Sequence, residues 1–224
     1  GIGNAYSHQG QYLKAERYFK DILKVNKKSI VGYSGLLNLY IERDVFPLVS
    51  QTHTDLRYKN LLKKSPEPLL AKLASYYLDK LRTPKQNLRV DFGIISPKIL
   101  DKNDNPFPAI KSALNALNQK NPKYPPLYLQ AARLARVQKN YKIMKVNLER
   151  ALEYSKSEYS SANFFGALNL MGQYYYYVKN PIKAYNYLNK AVKAYGYQPN
   201  FVHEEFYKET EKIGGTGLGL TIAK

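Results

Sequence analysis

The stretch Gly1-Ile2-Gly3-Asn4-Ala5-Tyr6-Ser7-His8-Gln9-Gly10-Gln11-Tyr12-Leu13-Lys14-Ala15-Glu16-Arg17-Tyr18-Phe19-Lys20-Asp21-Ile22 decides the fold. Gly3, Tyr6, Tyr12, Ala15, Phe19 and Ile22 recur at helical spacing, and Gln9-Gly10-Gln11 interrupts them as a turn. The stretch therefore predicts a helix hairpin. Gly3 and Ala15 let the two backbones approach, while Tyr6 and Phe19 fill the space between them and against a following pair.

The same order returns further along the chain. Tyr40 repeats Tyr6 and closes a first-helix segment from Ile30, and Phe46 and Val49 repeat Tyr12 and Ala15. This succession of small and aromatic positions resembles the tetratricopeptide repeat (TPR) family, whose unit is about 34 residues long. A third first helix reads through Leu70, Leu73, Ala74 and Tyr77 and ends at Arg82-Thr83-Pro84, because proline disfavours helical geometry in the residue before it. Its partner resumes only at Ile110, Leu114 and Leu117. Residues from about 81 to 107 thus read as an insertion in the third repeat, roughly two dozen residues beyond a normal turn. Within it the Arg89-Val90-Asp91-Phe92-Gly93-Ile94-Ile95 run is read either as a short strand or as a segment packed on the array.

The fourth repeat carries Tyr128, Ala131, Ala135, Tyr141, Met144, Leu148 and Ala151, and the fifth carries Met171, Gly172, Tyr175, Ala184, Leu188 and Ala191. The longer step from Ala151 to Ala191 implies either a long connection near Ser155 to Ser161 or longer flanking helices. The resemblance implies an all-α, right-handed superhelical solenoid of about five TPR-like helix hairpins. It covers residues 1–196 as a repeat domain and leaves 197–224 as a capping segment and Gly-rich tail. The chain opens on Gly1 rather than Met and is read as a piece of a longer protein.

Composition narrows the classes. No apolar run approaches the ~20 residues needed to span a bilayer. Cysteine is absent, which excludes disulfides and thiolate metal sites and leaves the compartment open. The formal charge of +18, from 35 basic and 17 acidic residues, sets up a field that attracts acidic proteins, anionic surfaces or nucleic acid. The lysines are scattered over helix faces read as solvated, so nucleic acid is the less favoured partner.

In the TPR family the first helices line the inner, concave surface, so the resemblance implies protein or peptide binding there. Carried across repeat by repeat, the inner-face positions are Asn4, Ser7 and His8; Ser34, Asn38 and Glu42; Ser75 and Asp79; Arg133 and Arg136; and Asn169, Gln173 and Tyr176. Amides at such points hold an extended peptide backbone, and arginine grips a carboxylate through paired bonds. Family members that clamp a peptide C-terminus repeat Lys and Asn over three units, and here only Asn4 matches such a point. Arg133 and Arg136, one turn apart, are the strongest pair.

Other motifs do not assemble into chemistry. His8, His53 and His203 lack metal-ligand spacing, and no cofactor is implied. The 22 tyrosines read mainly as core and inter-repeat filler, since consecutive rings such as Tyr174 to Tyr177 point in different directions around a helix. Asp91-Phe92-Gly93 lacks the loop and catalytic segment that give that triplet meaning in kinases. The tail Ile213-Gly214-Gly215-Thr216-Gly217-Leu218-Gly219-Leu220 resembles the ATP-lid segment of sensor histidine kinases. The magnesium and adenine elements that such a lid needs upstream are replaced here by the fourth and fifth helix pairs. A junction, a relic and a coincidence all fit that tail, and it is expected to be non-catalytic.

The resulting expectation is a non-catalytic interaction scaffold or adaptor that binds a protein or peptide, in one version an acidic one, through its concave face, its inserted loop, or both. Its alternatives are the sensory or regulatory region of a histidine-kinase-type signalling protein, and binding of RNA or an acidic surface through the basic field.

Overall fold

The computed structural model describes residues 1–81, 105–156 and 162–195. The Arg89 to Ile95 run, the Asp91-Phe92-Gly93 triplet, His203 and the Gly-rich tail lie outside the described residues. Every regular element among the described residues is helical: α1 (Ile2–His8), α2 (Tyr12–Val25), α3 (Ile30–Glu42), α4 (Phe46–Tyr58), α5 (Glu67–Lys80), α6 (Phe107–Lys120), α7 (Pro125–Val137), α8 (Tyr141–Tyr154), α9 (Ala162–Tyr177) and α10 (Pro181–Tyr195), with a 3₁₀ turn over Leu62–Lys64. The helices pair in sequence into the five hairpins that the repeat register predicts, and α6 packs on α5 across the inserted segment.

Two compact units result: α1 to α8 form the first, ending at Tyr154, and the second begins at Ser155. The division falls at the connection that the long step to the fifth repeat singles out. Helix α9 is longer than its predecessors at 16 residues, as the reading of longer flanking helices implies.

The turns inside the hairpins share one device. Gly10, Asp44, Lys139 and Lys179 adopt left-handed φ values of 72°, 54°, 54° and 57°. Around each, the next residue donates its N–H to a carbonyl five residues back, as in Gln11 to Tyr6, Val45 to Tyr40, Asn140 to Ala135 and Asn180 to Tyr175. These bonds satisfy carbonyls that a helix end leaves orphaned. Asn140 and Asn180 then cap the following helices, their side-chain oxygens accepting from Ile143 and Lys183 N–H at 3.1 Å each.

In the first unit the core runs along the helix pairs through Val49, Leu56, Leu73, Ile110, Met144 and Leu148, all fully buried. Its tightest point is Phe19. A Cβ placed at Gly3 would stand 2.5 Å from the Phe19 ring, and one at Gly35 would overlap it further. One aromatic side chain of α2 is thus clasped between glycines of α1 and α3, and Tyr40 reinforces the α2–α3 contact by donating to Glu16 at 3.0 Å. In the second unit, Gly172 plays the same part for Leu188, and Tyr175 stacks on Tyr187 with centroids 5.3 Å apart.

His53 occupies the position that Phe19 holds in the first hairpin and that Leu114, Leu148 and Leu188 hold in the later ones. It is 3% exposed and its Nδ1 lies 3.2 Å from the Tyr77 hydroxyl, while Nε2 has no hydrogen-bond partner among the described residues. Burial, with the positive charge of Arg57 adding to it, pushes the imidazole pKa down to about 4.

Two outcomes are expected. Gly35→Ala should destabilise the first unit by about 1–3 kcal/mol through overpacking, and Phe19→Leu in the same chain should recover part of that loss. Denaturant melts of the single and double variants read this, and a Gly35→Ala chain as stable as the parent would contradict the clasp. For His53, the folded chain holds the ring neutral while the unfolded chain protonates it near 6.5. The associated stability is complete above pH 6.5 and declines as pH falls towards 4, by about 3 kcal/mol in all. His53→Leu should therefore flatten the stability profile between pH 6.5 and 4 relative to the parent.

Candidate functional site

The first helices of the first unit stand side by side: α3 packs against both α1 and α5, and α5 against α7. Residues one repeat apart are consequently neighbours across helices, and the polar residues of this face join into a ladder. Ser7 donates to Glu42 at 3.3 Å, and Lys72 donates to Glu42 at 3.1 Å and to Asn38 at 3.2 Å. Lys80 pairs with Asp44 next to this rung. Further along, Arg133 on α7 donates to Asp79 at 2.6 Å and to Ser75 at 2.8 Å on α5, and to Gln130 at 2.8 Å on its own helix.

At the α1–α3 end the ladder borders a shallow groove of about 120 Å³ lined by Asn4, Ser7, His8, Asn38 and Glu42, with Phe19, Gly35 and Leu39 forming its apolar part. Amide, hydroxyl, imidazole and carboxylate groups meet there over an apolar base. Such a surface can hydrogen-bond a peptide backbone and seat a small side chain. Among the described residues no cluster of His, Asp and Glu is arranged to hold a metal ion, and no helix is long and apolar enough to cross a membrane.

Of the sequence-predicted residues, Asn4, His8 and Asn38 are brought together in this groove, joined by Ser7 and Glu42. Ser34 is placed differently: its hydroxyl oxygen is buried and has no hydrogen-bond partner among the described residues, so packing encloses it. Arg133 sits in the α5–α7 rung, and Arg136 is half-buried one turn further along α7. Asn169, Gln173 and Tyr176 belong to α9 in the second unit. There Gln173 donates to Asn169 at 3.4 Å, and the Tyr176 ring meets Tyr177 edge-on with centroids 6.0 Å apart.

Sequence reasoning missed Lys72 and Gln130 as members of the ladder. The signal was available, because Asn4, Asn38 and Lys72 follow one another at the repeat step; Lys72 and Asn38 are 34 residues apart. The Arg133–Asp79 partnership was missed as well, although both residues had been placed on this face.

No protein-family model and no curated protein matches the chain. Solved structures do. A thermophilic TPR protein of Thermus thermophilus superposes with a TM-score of 0.57 at 14% identity, covering 95% of this chain and 96% of that one. YrrB, described as a TPR protein with an unusual peptide-binding site, gives 0.58 at 16% identity over 94% of this chain and 88% of its own. MamA gives 0.59 at 15% identity over 94% and 98%. At such identities the likeness establishes the fold: an all-α array of helical repeats of the kind found in TPR proteins.

Arg133 is 18% exposed while its partner Asp79 is 51% exposed, so solvent screens half of the pair. Loss of the rung should therefore cost about 1 kcal/mol rather than the several expected of a buried ion pair. A double-mutant cycle of Arg133→Ala and Asp79→Ala measured by chemical denaturation checks this. Strictly additive losses would show that the rung does not couple α5 to α7.

Proposed function

We propose that this chain is a non-catalytic scaffold or adaptor that holds a protein or peptide partner along the first-helix face of its first unit. The observation that carries the reading is the groove between α1 and α3, where Asn4, Ser7, His8, Asn38 and Glu42 converge on an apolar base. Side-chain amides offer a donor and an acceptor in fixed relation, which matches the alternating N–H and C=O groups of an extended strand. The description of YrrB as a TPR protein with a peptide-binding site supports the same use of this fold. The inserted segment is a second candidate contact for the partner, and it lies outside the described residues.

Because Glu42 is already engaged by Lys72 and Ser7, the ladder positions the groove's acid and leaves Asn4 and His8 exposed at its rim. A partner there meets hydrogen-bonding groups of nearly balanced charge. Selectivity then comes from shape and backbone pairing more than from net charge.

A phage-displayed peptide library selected on the immobilised chain tests the proposal. Synthetic versions of enriched peptides should lose about tenfold or more in affinity to a chain carrying Asn4→Ala with Asn38→Ala, a difference of about 1.4 kcal/mol. Circular dichroism should show the helices unchanged. A selection without enrichment, or peptides indifferent to the paired substitution, would overturn this site.

A further inference from the structure

A second hollow lies away from the first-helix ladder. It measures about 500 Å³ and is walled by Arg57 and Asn60 at the end of α4, Lys63 in the 3₁₀ turn, and Lys111, Asn115 and Gln119 on α6. The three α6 residues stand one turn apart in succession and form a single stripe. Leu62 and Ala116 supply apolar surface, and no acidic side chain among the described residues lines the hollow.

Several cations of this unit are otherwise engaged. Lys20, Lys24, Lys72, Lys80 and Lys120 each pair with a carboxylate, and Lys14, Arg43 and Lys59 lie over tyrosine rings. Arg57, Lys63 and Lys111 form no ion pair among the described residues, yet they face one hollow. Three exposed cations around one hollow set up a local positive potential, which a ligand carrying several negative charges matches.

We propose that this hollow binds an acidic peptide segment, its carboxylates held by Arg57, Lys63 and Lys111 and its backbone by Asn60, Asn115 and Gln119. The volume exceeds what one small anion fills, and three cations match a ligand that carries several negative charges. Amides that both donate and accept suit a peptide backbone. Single-stranded nucleic acid is disfavoured because such sites stack bases on aromatic rings, and none among the described residues lines this hollow. The site uses only second helices and their connection, so it stands independently of the first-helix groove and goes beyond that reading.

Fluorescence anisotropy on the full chain, with labelled hexaglutamate, hexaserine and hexauridine as probes, tests the proposal. Hexaglutamate should bind, hexaserine should not, and Arg57→Gln with Lys111→Gln should weaken hexaglutamate about tenfold or more. Lys28→Gln with Lys142→Gln removes the same charge elsewhere and should change affinity by less than about threefold, as a screened surface field requires. Amide chemical-shift changes on hexaglutamate addition should centre on Asn60, Ser112 and Asn115. Equal weakening by the two paired substitutions, absence of hexaglutamate binding, or tighter hexauridine binding that depends on Arg57 and Lys111 would each overturn it. The Asn4 and Asn38 substitutions should leave hexaglutamate affinity unchanged, so failure here and failure of the first-helix groove are separately visible.

Discussion

Phe19 has to be seated before α1 and α3 can meet on the first-helix face. Its ring fills space that a single methyl group at Gly3 or Gly35 would occupy, so α1 and α3 can both close on α2 only because neither presents a side chain there. Interior packing at near-crystalline density leaves little slack for another solution. That closure sets the distance between α1 and α3, and with it the width of the groove that Asn4, Ser7, Asn38 and Glu42 share. Core packing and the candidate site are thus one constraint seen from two sides. The polar ladder adds modestly to stability, whereas the glycine seats determine whether its α1–α3 rung can form.

The charge of the chain follows a comparable pattern of local matching. An excess of 18 positive charges leaves too few carboxylates for the cations, and the abundant tyrosines take up part of the difference. Seven Lys or Arg groups lie over tyrosine rings among the described residues. Their charges lie 4.9–5.8 Å from the ring centroids, within the reach of a cation–π contact. It follows that much of the tyrosine content serves neither the core nor a ligand alone: the rings hold lysine stems against the helices. The first-helix ladder, by contrast, draws on carboxylates, with Glu42, Asp44 and Asp79 each matched to a cation.

The helix pairs were legible because small and aromatic residues recur at a fixed step, and the insertion was legible because that step breaks after Tyr77 and resumes at Ile110. Individual roles were harder to read. Asp44, Lys139 and Lys179 carry the left-handed turns without glycine, so composition gives no sign of them. Ser34 sits on a face that periodicity reads as open, yet packing encloses its hydroxyl. The bond from Arg133 to Asp79 spans 54 residues, a separation that becomes contact only once the insertion is subtracted from the register. His53 stands where the other hairpins place phenylalanine or leucine, and its burial depends on Tyr77 from the next hairpin. The hollow beside α6 was not legible, because Arg57 and Lys111 lie on second helices and, in sequence, look like ordinary solvated charges.

The two candidate surfaces differ in what a ligand must displace. A carboxylate approaching Arg133 competes with Asp79, already bonded at 2.6 Å, and an amide approaching Asn38 competes with Lys72. Exchange of one satisfied hydrogen bond for another yields little net free energy, so binding on that face relies on contacts the ladder does not already make, chiefly the exposed Asn4 and His8 and the apolar base. Arg57, Lys63 and Lys111 have no ion-pair partners among the described residues to give up, so an anion among them displaces no carboxylate of those residues. On the proposed readings, the ladder suits selection of a partner by shape and the basic hollow attraction of one by charge. A fold that places these two properties on different helices can tune either one without disturbing the other.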